Sequence, residues 1–154
     1  MAFLSPRSLV VAGAVLGGLG VACGAFGAHG VAGFVAEKYP DAALAARRLD
    51  NWHTAADYHL WHALAAVACG LLGMSAPRRG ERRLDSPAVR WAGLSFLAGV
   101  TVFSGSLYLL TLTGLSWLGA VTPVGGVLLI VGWALLAWAA GRGGDRRDES
   151  AADS

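Results

Sequence analysis

Charge is scarce in this chain, and it is missing where a soluble surface would need it. Only 14% of the 154 residues are charged, and they gather in blocks. Between the blocks lie three runs without Asp, Glu, Lys or Arg: Ser8 to Ala36, Tyr58 to Pro77, and Trp91 to Gly141. A soluble fold needs its charges spread over its surface, so these runs argue against one. Cysteine is almost absent too. The two residues present, Cys23 and Cys69, both fall inside apolar runs. That excludes a disulfide framework and leaves thiols that behave as small apolar side chains. Catalytic vocabulary is also lacking. The sequence has no phosphate loop, no paired carboxylates and no serine–cysteine–histidine arrangement, so nothing in it warrants an enzyme. No carboxylate lies within an apolar run, and a closed zinc site wants about four ligands. No metal and no cofactor are therefore expected. The net charge of +2 comes from basic residues beside apolar segments, where topology accounts for them, and no nucleic-acid partner is expected.

What is present is apolar length. A bilayer core takes roughly 20 apolar residues per helix. The three runs therefore hold four spans, the third holding two around the turn Thr113-Gly114-Leu115-Ser116. The predicted class is all-α: an integral membrane four-helix bundle with helices near 8–29, 56–75, 91–113 and 117–140. In the connection between the first two, Pro40 and Asp41 read as a helix start. Leu44, Ala45, Leu49, Trp52 and Ala56 follow at helical spacing, which predicts a short amphipathic interfacial helix between helices 1 and 2. Helix 4 has two readings. Thr122 can cap a helix whose first residue is Pro123, or a helix from Trp117 can contain Pro123 as a kink. The first is preferred. Residues 1–141 form one transmembrane domain, and 142–154 read as a disordered charged cytoplasmic tail.

The arginines orient the spans. Arg7, five arginines from Arg78 to Arg90, and Arg142, Arg146 and Arg147 share one side, nine in all, against Lys38, Arg47 and Arg48 on the other. The positive-inside rule then puts both termini in the cytoplasm and the chain in the cell (inner) membrane. A cleaved secretory signal is the competing reading of the first run. That run is about twice a typical signal core and has no clean cleavage site, so it is read as a retained span.

The first span carries Gly13, Gly17, Gly20, Gly24 and Gly27 at alternating steps of four and three, which places them on one helix face. Such a face allows close backbone packing in lipid, and these five are the predicted helix-packing residues. The polar residues gather at one depth. His29 ends helix 1, and Tyr58, His59 and His62 begin helix 2. Ser104 and Tyr108 lie about 21–27 Å along helix 3 from Arg90, and Thr122 stands near the same surface. His29, Tyr58, His62, Ser104, Tyr108 and Thr122 thus form a candidate outer-leaflet polar cluster. Polar groups in lipid must face protein or water, so the Tyr58/His62 and Ser104/Tyr108 stripes should turn inward. The hydroxyl of Tyr108 or Ser104 is expected to bond an imidazole nitrogen, His62 being the preferred partner, and His59 is expected to face the interface or another subunit.

Four stretches then resemble a known set: Gly24-Ala25-Phe26-Gly27-Ala28-His29-Gly30, Tyr58-His59-Leu60-Trp61-His62-Ala63-Leu64, Phe103-Ser104-Gly105-Ser106-Leu107-Tyr108 and Thr122-Pro123-Val124-Gly125-Gly126. In this order they resemble the small bacterial inner-membrane family filed as domain of unknown function 423, which is related to a small eukaryotic transmembrane protein. The resemblance runs from about Val10 to Ala140. It implies a four-helix membrane protein and supplies neither a reaction nor a site. His29 and His62 match the pattern. His59 departs from it, glutamine being usual there, and the arginine-rich second connection is longer than the family's usual form.

The expected function is a non-enzymatic accessory or assembly subunit of a membrane complex. Its partners would be the bilayer and either other membrane proteins or further copies of itself in a homo-oligomer. The alternatives are a small-molecule carrier or channel formed as an oligomer, or a quinone, lipid or metal binder that uses the polar cluster.

Overall fold

The computed structural model describes residues 5–75 and 87–141. The arginine cluster at 78–83 and the tail at 142–154 lie outside the described residues. Among the described residues every regular element is a helix.

Helix α1 (Pro6–Phe26) is started by Ser5, whose hydroxyl accepts the Ser8 N–H at 3.1 Å, with Pro6 in the first helical position. Proline fits there because that N–H would have no helical partner. The helix does not end in the glycine-rich stretch, as had been expected near residue 29. It widens into one π turn (Gly27–Val31) and continues as α2 (Ala32–Lys38), so that 33 residues from Pro6 to Lys38 form one rod. No proline interrupts this stretch, and among the described residues only Gly114 has a positive φ. Just before the π turn the Cys23 carbonyl accepts two N–H groups, that of Gly27 and the indole N–H of Trp52 at 2.9 Å.

Helix α3 (Ala42–Met74) starts where Pro40 and Asp41 predict it. The Asp41 carboxylate accepts the N–H groups of Ala43 and Leu44 at 2.8 and 3.1 Å. It then runs unbroken for 33 residues, which corrects two expectations. The interfacial helix is not a separate element but the first turns of α3, and helix 2 does not begin at Ala56. The reason is compositional, since neither glycine nor proline occurs between Asp41 and Cys69. At 1.5 Å per residue both 33-residue rods reach about 50 Å, some 20 Å more than a hydrocarbon core of about 30 Å.

Helix α4 (Pro87–Thr113) stops at Gly114, whose φ is +81° and whose N–H donates to the Leu110 carbonyl at 3.0 Å. This left-handed stop favours glycine. Helix α5 (Leu118–Gly141) begins before Pro123 and contains it. The preferred start, with Thr122 as cap, is therefore overturned. The N–H groups of Leu118, Gly119 and Ala120 already donate to the carbonyls three residues back at 3.0–3.1 Å. The Thr122 hydroxyl donates to the Leu118 carbonyl at 3.2 Å instead of capping.

The rod Pro6–Lys38, α4 and α5 are each long and apolar enough to cross a membrane. Helix α3 falls outside that set and carries Asp57, Tyr58, His59 and His62 near its middle. Helix α1 packs on α3, α3 on α4, and α4 on α5, so α3 is covered from two directions. Glycines set the close approaches. A Cβ on Gly70 would stand 2.7 Å from the Pro6 carbonyl, and one on Gly132 would stand 2.6 Å from the Phe96 ring. Gly125 lies against the backbone of Phe103. The main core includes Leu9, Ala66, Cys69, Val89, Phe96, Val100 and Leu129. At the far end the Tyr39 hydroxyl donates to the Thr111 carbonyl at 2.8 Å, and the Thr111 hydroxyl donates to the Arg48 carbonyl at 3.0 Å. These two bonds tie the projecting α2–α3 hairpin to the end of α4.

Candidate functional site

The polar residues of the middle form two groups along the buried face of α3. The first lies among α1, α3 and α4. Trp52 is buried, donates to the Cys23 carbonyl, and stacks at a tilt on Tyr108 with ring centres 4.5 Å apart. The Tyr108 hydroxyl and His59 Nδ1 share a long hydrogen bond of 3.4 Å. Gly20 lies under the His59 ring and Gly27 against the Trp52 indole, so α1 has no side chain where these rings need room. His59 is only 7% exposed. It faces the protein interior, not the interface or a second subunit as had been expected, and it is the histidine that meets Tyr108. Its Nε2 and the Ser104 hydroxyl are buried without a hydrogen-bond partner among the described residues.

The second group lies among α3, α4 and α5. His62 Nδ1 is 2.8 Å from the Tyr58 carbonyl, and Trp133 Nε1 donates to His62 Nε2 at 3.2 Å. A carbonyl only accepts, so Nδ1 carries the proton and Nε2 takes the indole N–H. Both ring nitrogens are thus used. His62 bonds neither Tyr108 nor Ser104, contrary to expectation. Tyr58 stacks on Phe103 at 4.7 Å, and Phe96 meets the edge of Trp133 at 5.0 Å. Tyr58, Trp61, His62, Phe103, Ile130 and Trp133 line a cleft of about 580 Å³, with Gly126 and Leu129 completing it. That volume is in the range of small-molecule sites.

The remaining predicted site residues lie apart from these groups. His29 is exposed on the π turn. Thr122 joins Ser106, their hydroxyls 2.8 Å apart, with the Ser106 hydroxyl also 2.9 Å from the Phe103 carbonyl. Of the five packing glycines, Gly13, Gly20 and Gly27 lie close against α3. Gly17 leaves a Cβ 4.0 Å from Ala63, and a Cβ on Gly24 would meet nothing within 4 Å.

Trp52 and Trp133 carry contacts that the sequence reading did not give them. One signal was available for Trp52. The stripe Trp52, Ala55, His59, His62, Ala66 and Cys69 steps by three and four without a break, which fits one continuous helix with a buried face.

The comparisons agree on the family. The model of the family described as "Protein of unknown function (DUF423)" matches residues 23–126. The UPF0382 membrane protein YwdK of Bacillus subtilis is 39% identical over 134 residues, covering 87% of this chain and 96% of that protein. The UPF0382 membrane protein SAB0533 of Staphylococcus aureus is 38% identical over 130 residues, 84% of this chain and 92% of its own length. No solved structure gives a significant match. The family-model match covers most of the helical part, and the relatives cover nearly their whole length, so the chain belongs to the DUF423 family of membrane proteins.

Proposed function

We propose that the chain is a non-enzymatic accessory or assembly subunit of a membrane complex. In this reading its four long helices form a transmembrane bundle in the inner membrane, with both termini cytoplasmic. One observation carries it: three hydrogen bonds of polar side chains in the middle each join one helix to another. Trp52 ties α3 to α1, His62 ties α3 to α5, and Ser106 with Thr122 ties α4 to α5. Polar contacts between membrane helices average about 0.6 kcal/mol each, so several are needed to fix a register. The reading treats the polar cluster as that device. The partner would dock on the apolar face of α1, where Val11, Val15 and Leu19 stand exposed at steps of four.

Gentle purification from native membranes followed by native mass spectrometry tests this. The expected result is a stoichiometric complex with another membrane protein or with further copies of the chain. Replacing Val15 by a bulky Trp should release the partner and leave the chain folded. A solitary chain recovered at native expression level would refute the proposal.

A further inference from the structure

The cleft between α3, α4 and α5 lies near the middle of the helices that form it. Leu129 and Ile130 are the twelfth and thirteenth of the 24 residues of α5. Phe96 and Phe103 stand four residues before and three after the centre of the 27-residue α4. Each end of α5 is therefore about 18 Å away along the axis, so a bilayer fitted to this hairpin has its hydrocarbon middle at the cleft.

Two polar groups at that depth are unspent. Among the described residues the Tyr58 hydroxyl has no hydrogen-bond partner, and neither has the Trp61 indole N–H, whereas His62 and the Trp133 N–H are paired with each other. Tyr58 is 37% exposed and Trp61 57%. An unpaired hydroxyl in hydrocarbon is costly, and the indole N–H can only donate. The occupant that suits this cleft is an acceptor. Phospholipid ester carbonyls sit at the edge of the hydrocarbon core, about 15 Å from its middle, and an acyl chain offers no acceptor. The walls include flat rings: the stacked Tyr58–Phe103 pair and the Trp133 indole.

We propose that this cleft binds the head ring of a lipid-soluble molecule bearing ring carbonyls, the quinoid class. The Tyr58 hydroxyl donates to one carbonyl, and the ring lies against the aromatic walls. The proposal is independent of the accessory-subunit reading, because it concerns a small molecule and not a protein partner.

The test uses the full chain in phosphatidylcholine nanodiscs with a decyl-benzoquinone as probe, read by quenching of tryptophan fluorescence. The control probe is the same molecule with both ring oxygens methylated. Saturable quenching is expected for the quinone. Tyr58→Phe, which keeps the ring, should weaken binding about five- to tenfold, the worth of one hydrogen bond. Gly126→Leu, which fills the cleft, should abolish it. Ile130→Trp blocks the same space from an exposed position and serves if Gly126→Leu does not fold. An azido-benzoquinone should photolabel residues 58–62 and 126–133. Quenching that only follows partition into lipid, an affinity unchanged by Tyr58→Phe, equal binding of the methylated control, or labelling elsewhere would overturn the proposal.

Discussion

Replacing Gly13 and Gly24 by alanine should have opposite effects, although the two glycines belong to one sequence stripe. At Gly13 an added Cβ would stand 2.8 Å from Val67 Cγ2, 2.9 Å from the Ala63 carbonyl oxygen and 2.9 Å from the Val67 nitrogen. Two of those atoms are backbone, which cannot rotate away, so α1 and α3 must move apart by several tenths of an ångström. Overpacking of this kind costs about 1–3 kcal/mol. The gain in helix propensity from glycine to alanine, about 1 kcal/mol, offsets only part of it. At Gly24 no atom would lie within 4 Å of the new Cβ, so the propensity gain stands unopposed. Gly13→Ala should lower the melting temperature in detergent, and Gly24→Ala should leave it unchanged or raise it. Gly20 falls between, since a Cβ there would meet the His59 ring at 3.4 Å. The measurement is thermal unfolding followed by size exclusion or intrinsic fluorescence, with wild type beside each variant. Equal destabilisation by both substitutions, or none by Gly13→Ala, would refute the packing argument.

Three further outcomes are expected. Trp52→Phe removes both the N–H that reaches the Cys23 carbonyl and the buried five-membered ring packed on Gly27, and should cost more than about 1 kcal/mol; Tyr108→Phe, which loses only a 3.4 Å bond, should cost less in the same unfolding assay. Gly114→Ala forces a Cβ onto a residue at φ +81° and to within 3.2 Å of the Tyr39 hydroxyl, and should lower stability by at least about 1 kcal/mol. For topology, a cysteine replacing Glu37 should react with an impermeant reagent from outside intact cells, and a reporter fused after Gly141 should read cytoplasmic; the opposite pattern would reverse the orientation proposed from the arginines.

Much of the architecture was legible in the sequence because it depends on local chemistry. Long uncharged runs admit only helices that satisfy their own backbone in lipid. Asp41 and Gly114 marked a helix start and a helix stop through their own side-chain and backbone preferences. The glycine ladder and the polar stripes identified helix faces, because a period of 3.6 residues is written directly into the spacing. Local signals failed where two were in competition. Pro123 suits either a first turn or a helix interior, and the 3₁₀-like turn before it let α5 begin earlier. The α1 rod passed through its glycines because a glycine inside a helix costs only about 1 kcal/mol and no proline follows until Pro40. Only the tertiary structure decided what each face meets. Helix α3 has α1 against one side and α4 against another, so His59 and His62, one turn apart, turn to different neighbours: His59 toward Tyr108 over Gly20, and His62 toward Trp133. Spacing alone gives the angle between two side chains on a helix. It does not say which other helix lies along that direction, or at what height its glycines leave room.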